Sequence, residues 1–165
     1  MKFVKTYGLF ESKTGLTAEQ EAFLNRFTWG TWSYNPATGL VDVDGDFDFS
    51  TQGLKDFKGI KFGKVSGYFA CYANNLTSLV GAPREVGGRF ECWNNKLTSL
   101  AGAPQEVSGY FGCSGNKLTS LAGGPQEVHG DFWCYENSLT SLAGAPQEVR
   151  GEFSCDAFDL EGEWN

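Results

Sequence analysis

Along the second half of the chain, apolar and polar residues alternate in short bursts at Phe69-x-Cys71, Phe90-x-Cys92, Phe111-x-Cys113, Phe132-x-Cys134 and Phe153-x-Cys155. Alternation with a period of two marks a half-buried strand, so each burst predicts a short strand with Phe and Cys inward and their neighbours outward. After each of the first four bursts comes an asparagine (Asn74, Asn95, Asn116, Asn137), then Leu-Thr-Ser-Leu at 76–79, 97–100, 118–121 and 139–142. The asparagine suits a bend, because its amide can bond the turn's own backbone and, when stacked, can extend those bonds from coil to coil. The leucine pair returns apolar groups to the inside, and a following Gly-x-Pro turns the chain back before Glu-Val and the next strand.

The cysteines fall 21 residues apart throughout, and a glycine (Gly67, Gly88, Gly109, Gly130, Gly151) always stands two residues before the phenylalanine. A fixed period of this length means stacked units, none of which can cover its own apolar face. Neighbouring strands are therefore expected in parallel, ~4.8 Å apart. Upstream, Phe47, Phe49, Gln52, Leu54, Phe57 and Gly59 occupy the places of Phe69, Cys71, Asn74, Leu76, Leu79 and Gly81, followed by one inserted residue. They predict a degenerate first coil.

Thr17-Ala18-Glu19-Gln20 reads as a capping box opening a helix over 17–27, with Phe23, Leu24 and Phe27 as its apolar stripe. Trp32-Ser33-Tyr34 and Leu40 to Val43 read as a hairpin across Asn35-Pro36-Ala37-Thr38-Gly39. The expected organisation is a small α+β cap over residues 1–45 and a solenoid over 46–165, whose parallel sheet has about six coils. The cap protects one open sheet edge, and Phe158, Leu160 and Trp164 are the residues available to close the other.

The frame Phe69-x-Cys71-x-x-Asn74-x-Leu76 resembles the core of leucine-rich repeats, with phenylalanine and cysteine where leucines are usual. Its continuation, Asn-x-Leu-Thr-Ser-Leu-x-Gly-Ala-Pro-x-Glu-Val-x-Gly, is similar to short repeat proteins of tailed phages and some bacteria. The resemblance covers roughly residues 41–160 and implies a solenoid fold. It implies little about activity beyond a phage-encoded protein that blocks a host component such as a defence protein.

The formal charge of -7 argues against coating nucleic acid, since phosphate binding needs a positive surface, and suits a protein partner with a basic patch. With no apolar run of membrane-spanning length, the chain reads as soluble and cytoplasmic, in the host cytoplasm if phage-encoded.

Candidate chemistry is sparse, and neither enzyme activity nor a cofactor is expected. The cysteines form a ladder rather than a convergent zinc set and read as buried thiols, although adjacent ones are near enough for an occasional disulfide. His129 occupies a position that holds Ser66, Gly87, Ser108 and Arg150 in other coils, which reads as surface decoration rather than a catalytic base. Asp42, Asp44, Asp46 and Asp48 resemble a calcium loop but lack its glycine and glutamate, and read as a solvated acidic stripe. Lys55, Lys58, Lys61 and Lys64 and the ladder of Glu85, Glu106, Glu127 and Glu148 read as splayed, solvated charge.

What varies from coil to coil is the outward strand face. Tyr68, Tyr72, Trp93, Tyr110, Trp133 and Tyr135 form its aromatic middle, with Arg89 and Glu91 between them and Asp46, Asp48 and Asp131 toward the ends. Solvent-facing Trp and Tyr have the composition of binding hot spots, so these residues are the candidates for contacting a protein partner. Two other readings stay open: an acidic mimic of nucleic acid occupying a DNA- or RNA-binding groove, and a structural or adhesive component of a virion or cell.

Overall fold

The structure, a computed structural model, describes residues 15–156. Helix α1 spans Ala18–Phe27 and begins with the expected capping box: Gln20 N–H donates to Thr17 Oγ1 at 3.2 Å, and Thr17 N–H donates to Gln20 Oε1 at 2.9 Å. Its buried residues are Phe23 and Leu24, and the Phe23 ring lies 5.7 Å from Phe47 and 5.5 Å from Phe49. The helix thus lies against the first coil.

Strand β1 (Thr28–Asn35) follows α1 directly and pairs antiparallel with β2 (Leu40–Asp48), in register from Thr28 opposite Phe47 to Asn35 opposite Leu40. Both strands are longer than the hairpin expected from sequence. Gly30 faces Gly45 across the pair with φ of 142° and 125°, and a Cβ on either would collide with a carbonyl oxygen of the other strand. Such a close backbone approach is open to glycine alone. β2 runs unbroken through residues 45 and 46, serving as a hairpin strand and then as the first rung of the solenoid.

Each later coil supplies two short strands. The chain continues through β3 (Phe62–Val65), β4 (Phe69–Ala70), β5 (Glu85–Val86), β6 (Phe90–Glu91), β7 (Glu106–Val107) and β8 (Phe111–Gly112). It ends with β9 (Glu127–Val128), β10 (Phe132–Trp133), β11 (Glu148–Val149) and β12 (Phe153–Ser154). The even-numbered strands from β4 extend one parallel ladder from the end of β2, and the odd-numbered strands from β3 extend another from its start. Phe47 stands beside Phe69, and the inserted residue of the first coil is taken up as a register shift between β2 and β3, where Val41 pairs with Phe62 but Val43 with Val65.

Between the ladders the chain bends at the repeated glycine, and the direction of hydrogen bonding reverses. Gly88 N–H donates back to Gly67 C=O at 2.8 Å, whereas Phe90 N–H donates forward to Tyr110 C=O at 2.9 Å. A Cβ on Gly109 or Gly130 would come within 2.8 or 2.7 Å of backbone in the preceding coil, so glycine recurs because the stacked bends nearly touch.

The core is a column of rings. Phe69, Phe90, Phe111, Phe132 and Phe153 stack at centroid spacings of 5.2–5.5 Å with nearly parallel planes. Leu76, Leu79, Leu97, Leu100, Leu118 and Leu121 are fully buried across from them. The asparagines form the expected ladder: Asn116 donates to the carbonyls of Cys113 in its own coil and Cys92 in the preceding one, both at 3.0 Å, and accepts from Leu97 N–H at 3.0 Å.

Cys71, Cys92 and Cys113 are buried thiols as expected, but Cys134 and Cys155 are joined in a disulfide, with Cα atoms 4.7 Å apart. In-register parallel rungs bring equivalent cysteines within bridging range, so the ladder that argues against a metal site also permits this bond. Phe158, Leu160 and Trp164 lie outside the described residues.

Candidate functional site

The candidate residues fall at three positions of the coil: before the phenylalanine, between phenylalanine and cysteine, and after the cysteine. In-register stacking turns these positions into three columns on one face. Tyr72 and Trp93 stack one coil apart, with ring centroids 4.0 Å apart and planes 6° from parallel. Tyr110 and Trp133 meet diagonally at 4.5 Å and 33°. The structure therefore gathers the aromatic candidates on one face, all but Tyr135 half-buried.

Not every neighbour of Phe and Cys faces solvent, as simple alternation predicts. Glu91 is 7% exposed, held by Arg89 Nε at 2.8 Å and by the hydroxyl of Tyr110. The Arg89 guanidinium also lies 4.2 Å from the Tyr68 ring centre, so Tyr68, Arg89, Glu91 and Tyr110 form one chain of contacts. Burial raises the Tyr110 phenol well above the ordinary tyrosine range, and its bond to Glu91 raises it further. Tyr68 is also raised, by burial first and then by Asp48 and Asp46, while the bond to Glu91 raises Arg89.

Around Gly112 the face opens into a recess of about 400 Å³ whose walls include Trp93, Tyr110, Trp133 and Tyr135. A Cβ on Gly112 would meet Trp93 at 3.4 Å and Trp133 at 3.9 Å, so the missing side chain leaves a space bordered by both indoles. Glu91, Ser114 and Glu136 supply polar lining. Periodicity puts Gly112 and Ser114 on this outward face beside the large residues, but does not show that they make the recess. The available signal is Ser114, which breaks the run of aromatics after the cysteine in the fourth coil.

Asp42 and Asp44 of the acidic stripe are exposed and Asp46 and Asp48 half-buried, and each carboxylate also accepts a hydrogen bond from the chain. Asp42 Oδ1 accepts Lys64 N–H at 2.7 Å, Asp44 Oδ1 accepts the Ser66 hydroxyl at 2.9 Å, and Asp46 Oδ1 accepts Tyr68 N–H at 2.8 Å. Asp48 Oδ1 accepts Ser50 N–H at 2.9 Å, and at the far end Asp131 Oδ1 accepts Glu152 N–H at 2.9 Å. Four of these carboxylates fasten backbone donors and Asp44 a hydroxyl, mostly of the next coil. Among the described residues no group of three or more His, Cys, Asp and Glu side chains is placed to hold a metal ion.

The glutamate ladder is interleaved with cations rather than bare. Lys64 Nζ lies 3.4 Å from Glu85, and Arg150 Nε lies 2.6 Å from Glu148. His129 is more than surface decoration: its side chain is 25% exposed, with Nε2 3.8 and 3.9 Å from the Glu106 and Glu127 carboxylates. On the capping coil, Lys58 Nζ reaches Glu19 of α1 at 3.1 Å and its carbonyl accepts from Gln20 Nε2 at 3.0 Å, tying helix to solenoid.

Fold and face together define a parallel β-solenoid repeat protein with a small helical cap. Comparison with protein-family models, with curated proteins and with solved structures gives no match to this chain. Among the described residues no helix is long and apolar enough to cross a membrane.

Proposed function

We propose that this chain is a non-catalytic protein-binding module that holds its partner through the aromatic strand face. The observation that carries the reading is the gathering of Trp93, Tyr110, Trp133 and Tyr135 around a recess in the middle of that face. A folding role alone accounts for stacked pairs such as Tyr72 and Trp93. It gives no reason for large indoles beside a vacancy, which leaves apolar ring surface facing an open space.

The repeat frame's similarity to short repeat proteins of tailed phages suggests a phage-encoded inhibitor of a host defence protein, acting in the host cytoplasm. Net negative charge favours a basic patch on the partner. The internal hydrogen bonds of Asp42, Asp44, Asp46 and Asp48 weigh against a phosphate-mimicking stripe, since one oxygen of each carboxylate is engaged by the chain's own donors.

The test is a pull-down from bacterial lysate with the wild-type chain beside a Trp93→Ala, Trp133→Ala double mutant, both verified as folded by circular dichroism. A partner held by the first and lost by the second supports the reading. Equal recovery refutes it and turns attention to the cap and the aspartates.

A further inference from the structure

The residues after Cys71, Cys92, Cys113 and Cys134 are Tyr72, Trp93, Ser114 and Tyr135, an aromatic run with one ring missing before the column ends at Asp156. Where the column is complete, Tyr72 and Trp93 lie parallel at 4.0 Å. At Ser114 it is interrupted, and Gly112 beside it adds no side chain. Trp93 and Tyr135 therefore spring from strands two spacings apart, roughly 10 Å, where each ring of the column would occupy one spacing. The gap has room for one planar group, and Trp133, leaning on Tyr110 at 4.5 Å, walls a third side.

Ser114 lies on the floor of the gap and is 5% exposed, and among the described residues its Oγ has no hydrogen-bond partner. The same holds for Ser50 Oγ at the equivalent position of the first coil, so the recess is defined by its rings and carboxylates rather than by this hydroxyl. Glu91 and Glu136 line the same recess, and no lysine or arginine does. The occupant indicated is planar, cationic and a hydrogen-bond donor. The chain holds such a group next door: the Arg89 guanidinium lies over Tyr68 at 4.2 Å and bonds Glu91 at 2.8 Å.

We propose that the recess at Gly112 and Ser114 is a guanidinium subsite for an arginine side chain of the protein partner. The guanidinium lies between Trp93 and Tyr135 and is balanced by the Glu136 carboxylate. Lysine has the charge without the planar group that stacks on rings. A nucleobase is planar, but its phosphates would meet two glutamates and a chain of net charge -7. A neutral sugar gains nothing from the carboxylates.

The inference rests on the aromatic face being the binding surface, and the test keeps the two apart. The indole N–H signals of Trp93 and Trp133 are followed by NMR in the full chain while acetyl-Gly-Arg-Gly-amide is added, then its lysine and citrulline counterparts, adenosine monophosphate and glucose. The arginine peptide is expected to move both signals and to bind about tenfold more tightly than citrulline, the neutral planar isostere. Ser114→Tyr supplies the missing ring, as Tyr72 does two coils earlier, and is expected to abolish the response without lowering the melting temperature. If that variant does not fold, Gly112→Val closes the same space from the adjacent position.

Citrulline binding as well as arginine, tighter binding by lysine, the nucleotide or glucose, silence of both indoles, or undiminished binding by a folded filled-recess variant each overturns the subsite. Loss of the lysate partner in the tryptophan double mutant with no arginine response defeats the subsite alone. Arginine binding with the partner retained by that mutant defeats the face reading and the assignment to a partner's side chain.

Discussion

The side-chain amide of Asn95 donates to the carbonyl of Cys71, in the preceding coil, at 3.0 Å. The same nitrogen reaches Cys92 of its own coil at 3.1 Å, and Asn95 Oδ1 accepts Leu76 N–H at 3.0 Å. One side chain thus closes its own bend and joins two coils, and Asn95 is only 8% exposed. Replacing it with alanine leaves several buried backbone groups unpaired. Asn95→Ala is expected to cost about 3 kcal/mol in urea unfolding, and Asn137→Ala less, because Asn137 is only half-buried. Equal costs would show that the ladder's strength does not depend on burial.

The phenylalanine column predicts a stability gradient along the solenoid. Phe111 is fully buried between Phe90 and Phe132, whereas Phe153, Val149 and Leu142 are only partly buried. Phe111→Ala is expected to cost about 4 kcal/mol, and Phe153→Ala distinctly less. In native-state hydrogen exchange, backbone amides of 142–154 should exchange before those of 90–113, since each coil is stabilised chiefly by its neighbours.

The residue before each ladder asparagine is left-handed: φ is 50° at Ala73, 51° at Asn94, 65° at Gly115 and 55° at Glu136. A side chain other than that of glycine or asparagine is costly there. Ala73→Gly is therefore expected to raise stability by about 1 kcal/mol, with Gly115→Ala moving it the other way. Denaturant midpoints of the two variants check the pair of signs.

The buried thiols set an alkaline limit. Desolvation pushes Cys71, Cys92 and Cys113 above the usual thiol range, because the interior disfavours the thiolate. A group raised on folding contributes fully below its unfolded value and loses that contribution as pH rises past it. Stability should therefore fall above about pH 8.5, and the native chain should resist iodoacetamide at these three positions until it unfolds. Mass spectrometry with and without urea reads the difference.

Tyr110 offers a local probe of the binding face. Its phenol is raised first by burial and second by the bond to Glu91, so it should titrate above free tyrosine by ultraviolet absorbance. Glu91→Gln removes the carboxylate and leaves the burial, so the midpoint should fall part of the way. An unchanged midpoint would mean that Glu91 does not govern the phenol.

The repeat, the inward Phe and Cys, the asparagine ladder and the capping box were all legible in the chain, because each depends on a local period or spacing. The second ladder was not: Glu85-Val86 is too short to show alternation and becomes a strand only through Lys64-Val65 on one side and Glu106-Val107 on the other. The reversal of hydrogen bonding at the glycine bend is likewise a property of stacked coils, though the glycine itself is visible.

At the face, residue order alone shows which side chains vary from coil to coil and that many are aromatic. It also determined the order of the columns, since a fixed period maps position onto coil. Stacking of the coils is what turns Glu91 inward to Arg89 and Tyr110, gives the aspartates donors in the next coil, and brings Cys134 to Cys155. It alone decided that Gly112 and Ser114 leave a recess rather than a bare stretch of strand. Periodicity specifies which way a side chain leaves the backbone, whereas these outcomes depend on what a neighbour 21 residues away does with the space above it.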